Sequence, residues 1–72
     1  MRKHAKLRGA LVAADMTERQ LARELLRGVT YVSQRMSGKE PWALDECYKI
    51  LDIIRVPHDQ LHVYFPPGGV SA

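Results

Sequence analysis

The sequence predicts an all-α fold, a compact bundle of four to five short helices. Apolar residues recur every three or four positions through most of the 72-residue chain, which is the period of an amphipathic helix. Gly28, Gly38 and Pro57 stand between these periodic segments, where helices are expected to end or begin. Only the run 63–65 is rich in β-prone residues, and it has no partner run with which to form a sheet.

The first helix is predicted from about residue 3 to residue 14. Its inner stripe consists of apolar residues at helical spacing: Leu7, Ala10, Leu11 and Ala14. A periodic stripe of this kind packs one face of the helix against the rest of the domain.

The second helix is predicted over about residues 17–26. Thr17–Gln20 has the form of a capping box, in which the threonine hydroxyl accepts from the backbone at the third helical position and Gln20 reaches back. The expected inner residues are Leu21, Ala22 and Leu25. Gly28 is expected to stop this helix near Leu26 or Arg27.

A short third helix is predicted from about Val29 to Met36. The inward candidates on it are apolar: Val29, Val32 and Met36. Gly38 is expected to end the helix in a left-handed conformation, which glycine adopts without steric cost.

The fourth helix is predicted from about Ala43 to Ile54. Asp45 and Glu46 fall in its first turn, where the helix dipole favours carboxylates. Its expected inner stripe is Leu44, Cys47, Tyr48, Leu51 and Ile54. Trp42 precedes it beside apolar residues and is expected in the core or at an interface.

Pro57 suits the first position of a short fifth helix over residues 58–65, with Leu61 and Phe65 facing inward. Two prolines and two glycines at 66–69 are expected to end regular structure. Residues 1–66 therefore form the predicted domain, and residues 67–72 a flexible C-terminal tail.

The charge is distributed unevenly along the chain. Residues 1–39 carry nine Lys/Arg against three Asp/Glu, a net of +6, whereas residues 40–72 carry two against five, a net of −3. A basic half joined to an acidic half suggests that one face meets a polyanion such as nucleic acid, with a solvated charge distribution as the alternative.

The helix pair 17–26 and 29–36 has the form of a helix-turn-helix, whose second helix can enter a groove about 12 Å wide. Ala22 is small enough for the two helices to cross closely. Small or polar residues lie on the outward positions of the second helix: Gly28, Val29, Thr30, Ser33, Gln34 and Ser37. Gln34 can present its amide to an adenine edge, and Thr30 and Ser33 can hydrogen-bond several bases.

Residues 16–25 and 31–39 resemble the helix-turn-helix of the lambda repressor and Cro family, and residues 40–46 resemble its actinobacterial and actinobacteriophage branch. The resemblance covers about residues 5–66. It implies a lambda-repressor-like domain whose second motif helix reads bases in double-stranded DNA, with the six outward residues named above as the base readers.

The resemblance also implies phosphate contacts at the start of the preceding helix, from Thr17, Glu18 or Arg19, and after the recognition helix, from Lys39. Arg27 and Arg35 are further candidates for contact with phosphate or a guanine. The alternative for both arginines is solvation, or pairing with Glu24 or other surface carboxylates.

Two departures from the family pattern affect the motif. Leu26 and Arg27 stand where the turn usually has glycine and an aliphatic residue, so we expect a turn re-formed around Gly28. Glu18 takes a position that is often a phosphate-contacting glutamine, where a carboxylate would repel phosphate.

The function that these features predict is sequence-specific transcriptional regulation, as a Cro-like or immunity-type phage repressor in the cytoplasm of a bacterial host, associated with the nucleoid. With no room for a separate dimerisation domain, a homodimer is expected to use the fifth helix and the tail. The candidate interface residues are Leu61, Val63, Tyr64 and Phe65. A two-fold dimer would read a palindromic operator with half-sites about one helical turn apart.

Two alternatives remain open: a protein-interaction module of antitoxin or antirepressor type, and an accessory factor for recombination.

Catalysis is not expected, because the chain has no P-loop, paired carboxylates or nucleophile motif. No cofactor or metal is expected: Cys47 stands alone, and His58 and His62 would need further ligands. No membrane partner is expected, because the apolar runs fall far short of the roughly 18 residues of a span.

Overall fold

The chain forms five α-helices and one short pair of strands in a computed structural model that describes residues 4–66 and 70–71. The helices are α1 (Ala5–Ala13), α2 (Glu18–Leu25), α3 (Val29–Met36), α4 (Leu44–Ile53) and α5 (Leu61–Tyr64). A 3-10 turn, His58–Gln60, leads into α5, and the strands are β1 (Trp42–Ala43) and β2 (Val70–Ser71). The prediction of an all-α domain is confirmed by this mostly helical architecture.

The start of α2 is set by the predicted capping box. The backbone N–H of Gln20 donates to Oγ1 of Thr17 at 3.1 Å, and the backbone N–H of Thr17 donates to Oε1 of Gln20 at 2.8 Å. Two N–H groups that the helix cannot satisfy by itself thus find side-chain acceptors. Local sequence alone therefore determines where this helix begins.

The helices α1 to α4 all end in the same backbone motif. Each is followed by a residue with φ between 58° and 85° in the left-handed region: Asp15, Leu26, Gly38 and Arg55. The N–H of the next residue then donates to a carbonyl five positions back, as from Met16 to Leu11 at 2.8 Å and from Arg27 to Ala22 at 2.9 Å. This is the Schellman arrangement, which satisfies carbonyls left open at a helix end.

Gly38 takes the left-handed position after α3 as predicted, with φ 85°. After α2, however, the left-handed residue is Leu26, with φ 58°, and not Gly28. Gly28 has φ −74° and ψ 156° and is the N-cap of α3. The expectation of a turn re-formed around Gly28 is therefore wrong, although α3 begins at Val29 as predicted.

The hydrophobic core draws on α1 to α4 and on residues before and after α4. Its buried members are Leu7, Leu11, Leu21, Ala22, Leu25, Val32, Met36, Trp42, Cys47, Ile50, Leu51 and Phe65. The Trp42 ring lies edge-on to Phe65, with 6.3 Å between centroids. Trp42 is thus a core residue, one of the two roles expected for it.

Three residues predicted to face inward are exposed: Ala14, Val29 and Leu44. In α4 the buried stripe is Glu46, Cys47, Ile50 and Leu51, so the helix is rotated relative to the predicted stripe. The extended residues Trp42 and Ala43 lead into α4 with the Trp42 side chain buried, and Leu44 at the first helical position is left at the surface.

The strand pair was not predicted. Strands β1 and β2 are parallel, with Trp42 opposite Val70 and Ala43 opposite Ser71. Regular structure therefore does not end at Pro66, since the chain returns to the start of α4 after Phe65. Of the predicted flexible tail, residues 67–69 and 72 lie outside the described residues.

Within residues 4–66 and 70–71, no helix has both the length and the apolar character needed to cross a bilayer.

We expect Leu26→Gly to raise the free energy of unfolding by about 0.5–1 kcal/mol. A left-handed conformation costs a residue with a Cβ roughly 1–2 kcal/mol, of which the greater unfolded-state entropy of glycine offsets a part. Leu26 is 89% exposed, so the change removes little packing. Urea denaturation followed by circular dichroism measures the effect.

Arg55→Gly is the matched control, because Arg55 is exposed and has φ 59° at the same position after α4. It should be stabilising by a similar amount. A loss of stability in Leu26→Gly alone would contradict the strain assigned to Leu26.

Candidate functional site

The helices α2 and α3 pack against each other across a three-residue connection, Leu26–Gly28. The buried side of α2 includes Ala22, which is 2% exposed, and the buried side of α3 comprises Val32 and Met36. Small Ala22 allows close approach between the helices, as expected. The opposite side of α3 faces away from the core.

The residues predicted to read bases lie mainly on this outward side of α3. Gly28, Val29, Thr30, Ser33 and Ser37 are exposed, and Gln34 is half-buried. The Ser37 hydroxyl donates to the backbone carbonyl of Gln34 at 2.9 Å, so it is engaged at the end of α3. Thr30, Ser33 and the Gln34 amide remain the side chains suited to hydrogen bonding with a ligand.

The predicted phosphate contacts lie at both ends of the helix pair. Arg19, in the first turn of α2, and Lys39, directly after Gly38, are both exposed. The Thr17 hydroxyl already accepts a hydrogen bond in the capping box, although Thr17 is itself exposed. Arg19 and Lys39 are therefore the better placed cations of this group.

Glu18, the carboxylate that departs from the family pattern, pairs with Arg8. Nη1 of Arg8 lies 3.4 Å from Oε2 of Glu18, and Nη2 donates to the backbone carbonyl of Met36 at 2.9 Å. Arg8 thus joins α1 to the start of α2 and the end of α3. The neighbouring guanidinium offsets the negative charge of Glu18.

A buried carboxylate connects α4 to the other two helices. Glu46 is 2% exposed, and its Oε2 accepts from Nε of Arg27 at 3.1 Å. The hydroxyl of Tyr31 donates to Oε1 and Oε2 of Glu46, at 2.7 and 2.8 Å. We call Arg27, Tyr31, Arg35 and Glu46 the Glu46 cluster.

Both arginines of the Glu46 cluster contact the Tyr31 ring. The guanidinium carbon of Arg35 lies 3.5 Å from the ring centroid and that of Arg27 lies 5.0 Å from it. Nη1 of Arg35 also donates to the backbone carbonyl of Tyr31 at 3.3 Å. Stacking on an aromatic face restrains a guanidinium without consuming its charge.

These contacts modify the alternatives considered for Arg27 and Arg35. The carboxylate partner of Arg27 is the buried Glu46, neither Glu24 nor a surface carboxylate. The Arg27 side chain is nevertheless 51% exposed, so part of its guanidinium still reaches solvent.

The burial of Glu46 was not predicted, because the sequence pattern placed this residue only in the dipole-stabilised first turn of α4. The predicted inner stripe of α4 contained neither Glu46 nor Ile50, so no local pattern identified Glu46 as buried.

The environment of Tyr31 favours its neutral form. Partial burial, the hydrogen bond to Glu46 and the charge of that carboxylate raise the pKa of Tyr31 above its usual 10.0, and the positive charges of Arg35 and Arg27 oppose the shift. The phenol therefore acts as a permanent donor to Glu46 at neutral pH.

The contacts of Cys47 and His58 indicate structural roles for both residues. Burial, and then the charge of Glu46, raise the pKa of the Cys47 thiol to about 12, which keeps it protonated and poorly nucleophilic. Nε2 of His58 lies 2.7 Å from Oδ1 of Asp52, and its ring lies 4.7 Å from that of Tyr48. Among residues 4–66 and 70–71, no three His, Cys, Asp or Glu side chains are grouped to hold a metal ion.

The predicted dimer residues divide into two kinds. Phe65 is 2% exposed and belongs to the core of its own chain, so it is not available to a partner, contrary to the expectation. Leu61, Val63 and Tyr64 are half-buried. Tyr64 lines an open groove of about 640 Å³, whose other walls come from α1 and the end of α4.

No protein family, curated protein or solved structure matches the chain.

We expect Tyr31→Phe to lower the free energy of unfolding at neutral pH by about 1–2 kcal/mol, because Glu46 loses a buried hydrogen-bond donor. Tyr48→Phe is the control: Tyr48 is half-buried, and its hydroxyl makes no hydrogen bond within residues 4–66. Equal losses in the two variants would contradict the role given to the Tyr31 hydroxyl.

The same contact makes stability depend on alkaline pH. Since the folded pKa of Tyr31 is raised, its contribution is complete below about pH 10, the unfolded pKa, and is lost as pH rises through the higher folded value. Urea denaturation of the wild type at increasing pH above 10 should show a decline in stability that Tyr31→Phe lessens. An identical pH dependence would rule out this linkage.

Proposed function

We propose that this chain is a sequence-specific DNA-binding transcriptional regulator, a Cro-like or immunity-type repressor. The carrying observation is the outward side of α3, where exposed Thr30 and Ser33 and the half-buried Gln34 stand opposite the core residues Val32 and Met36. A short helix with this division between its two sides suits the major groove, where side chains read base edges.

The distribution of cations supports DNA as the ligand. The basic half of the sequence, with its net charge of +6 over residues 1–39, contains α1, α2 and α3. The acidic half contains α4 and α5. Arg19 and Lys39 are exposed beside the ends of the helix pair. Contacts from such residues to phosphates would set the orientation of α3 on the duplex.

The resemblance of residues 5–66 to the lambda repressor and Cro family supports the same conclusion. In this proposal α2 and α3 are the helix-turn-helix and α3 is the recognition helix. A homodimer in the cytoplasm of a bacterial host would occupy a palindromic operator and block access to a promoter. Leu61, Val63 and Tyr64, with the groove beside Tyr64, supply the dimer surface.

A second candidate is a protein-interaction module, and exposed apolar side chains favour it. Leu26 is 89% exposed, Val29 41% and Leu44 39%. Large apolar groups in solvent can mark a protein contact surface when they are contiguous. In this function α3 would contact a protein, and binding to DNA would be weak.

The deciding experiment is a fluorescence-anisotropy titration with a pool of randomised duplexes at two salt concentrations, followed by sequencing of the bound fraction. Enrichment of an inverted repeat is the expected result and would also give the operator. Salt-sensitive binding without enrichment would favour an accessory role in recombination. Absence of binding even at low salt would refute the proposal and favour the protein-interaction module.

We expect Lys39→Ala to weaken binding to all duplexes alike and to lower the slope of log affinity against log salt by about 0.9, the value for one phosphate contact. Lys49→Ala makes the same charge change on an exposed position of α4 and should leave the slope unchanged. An equal loss of affinity and slope in both variants would mean that Lys39 acts only through the net charge of the protein.

We expect Gln34→Ala to relax specificity at one or two base pairs, at a cost of about 1–3 kcal/mol on the operator and little on random DNA. Binding-site selection with the variant protein measures the change. Gln60→Ala, at an exposed position before α5, is the control. Equal losses on operator and random DNA would contradict a base-reading role for Gln34.

A further inference from the structure

We infer that Glu46 is a positioning residue for DNA: through its contact with Nε, the buried carboxylate holds the Arg27 guanidinium so that Nη1 and Nη2 are presented to a backbone phosphate. This inference rests on the proposed function and assigns a role to a residue outside the helix-turn-helix.

The geometry divides the Arg27 guanidinium into an inner and an outer part. Nε lies 3.1 Å from Oε2 of Glu46, which is 2% exposed, whereas the Arg27 side chain as a whole is 51% exposed. Within residues 4–66 and 70–71, Nη1 and Nη2 of Arg27 have no hydrogen-bond or ion-pair partner. Two parallel N–H groups of this kind match the oxygens of a phosphate.

Both the backbone and the side chain of Arg27 are restrained before any ligand binds. The backbone N–H donates to the Ala22 carbonyl at 2.9 Å in the Schellman motif. The side chain is held by Glu46 and lies beside the Tyr31 ring. Arg27 directly precedes the N-cap of α3, the end expected to enter the groove. A side chain ordered in advance loses less entropy on binding.

Both oxygens of the Glu46 carboxylate are hydrogen-bonded. Its two oxygens accept from Tyr31, and Oε2 accepts also from Arg27. A buried carboxylate carries a desolvation cost, and packed apolar residues often replace such groups without loss of stability. A negative charge near DNA is also unfavourable for binding. Control of the Arg27 orientation explains why a carboxylate suits this position.

The two effects of Glu46 on DNA binding have opposite signs, which allows a direct test. If Glu46 acted only by its charge, Glu46→Gln would tighten binding to DNA. If it positions Arg27, Glu46→Gln weakens binding, since a neutral amide holds the cationic Arg27 guanidinium less strongly than a carboxylate does. Asp45→Asn is the matched control, because it removes the same charge from an exposed position of the same helix, one residue from Glu46.

The measurement is fluorescence anisotropy with a mixed-sequence duplex at several salt concentrations, on variants shown by circular dichroism to be folded. We expect Glu46→Gln to lower affinity about three- to tenfold and to reduce the salt slope by about 0.9. Asp45→Asn should bind as well as wild type or better. A folded Glu46→Gln protein that equals or exceeds wild-type affinity overturns the inference.

Substitutions of the half-exposed Arg27 keep the inference testable if Glu46→Gln fails to fold. Lysine retains the charge but cannot bind the carboxylate by one nitrogen and a phosphate by two others. We therefore expect Arg27→Lys to lose nearly as much affinity and salt slope as Arg27→Ala. Arg27→Lys with wild-type affinity overturns the inference, because charge alone would then suffice.

A double-mutant cycle separates this inference from the proposed function. The loss caused by Arg27→Ala should be several-fold smaller in the Glu46→Gln background than in wild type. If wild type binds DNA and the two losses are equal, the positioning role fails and the proposed function stands. If wild type binds no duplex at any salt, both fail.

Discussion

The buried carboxylate of Glu46 is the interaction on which the arrangement of the helices around α3 depends. Burying an ion is costly unless donors surround it, and here the donors come from two places. Arg27 belongs to the connection between α2 and α3, and Tyr31 belongs to α3 itself. Because Glu46 lies on α4, the carboxylate couples the position of that helix to the orientation of α3. Apolar packing alone is less directional.

The left-handed helix ends contribute a second, purely backbone constraint. Hydrogen bonds of the same pattern close α1, α2, α3 and α4, although only one of the four closing residues is a glycine. Non-glycine residues adopt this conformation at a cost of roughly 1–2 kcal/mol each. The packing of the helices that meet at these turns must supply that free energy. The resulting short connections keep α2 and α3 close enough to share one face of the core.

Features of the fold that depend only on neighbouring residues could be predicted from the sequence. The Thr17–Gln20 capping box, the left-handed Gly38 and the bounds of α3 all depend on residues within a few positions of one another. The sequence pattern also identified the outward residues of α3, since their exposure follows from helical periodicity.

Features that depend on distant residues could not be predicted in this way. Glu46 is buried because Arg27 and Tyr31 meet it across the core, and no local pattern contains that information. The rotation of α4 that exposes Leu44 follows from the burial of Trp42 beside Phe65. The left-handed Leu26 also contradicts residue preference, because tertiary packing outweighs a cost of roughly 1–2 kcal/mol.

The parallel pairing of Trp42–Ala43 with Val70–Ser71 has a consequence for the order in which the chain folds. Parallel contacts between segments distant in sequence carry a loop-closure cost that local contacts avoid. The turns that join α1, α2 and α3 involve neighbouring residues and can form while the rest of the chain is still extended. The strand pair can close only after α4 and α5 have brought residue 70 back to residue 42. In a protein emerging from the ribosome, the helix pair that carries the proposed recognition surface would therefore be assembled before the final backbone contacts are made.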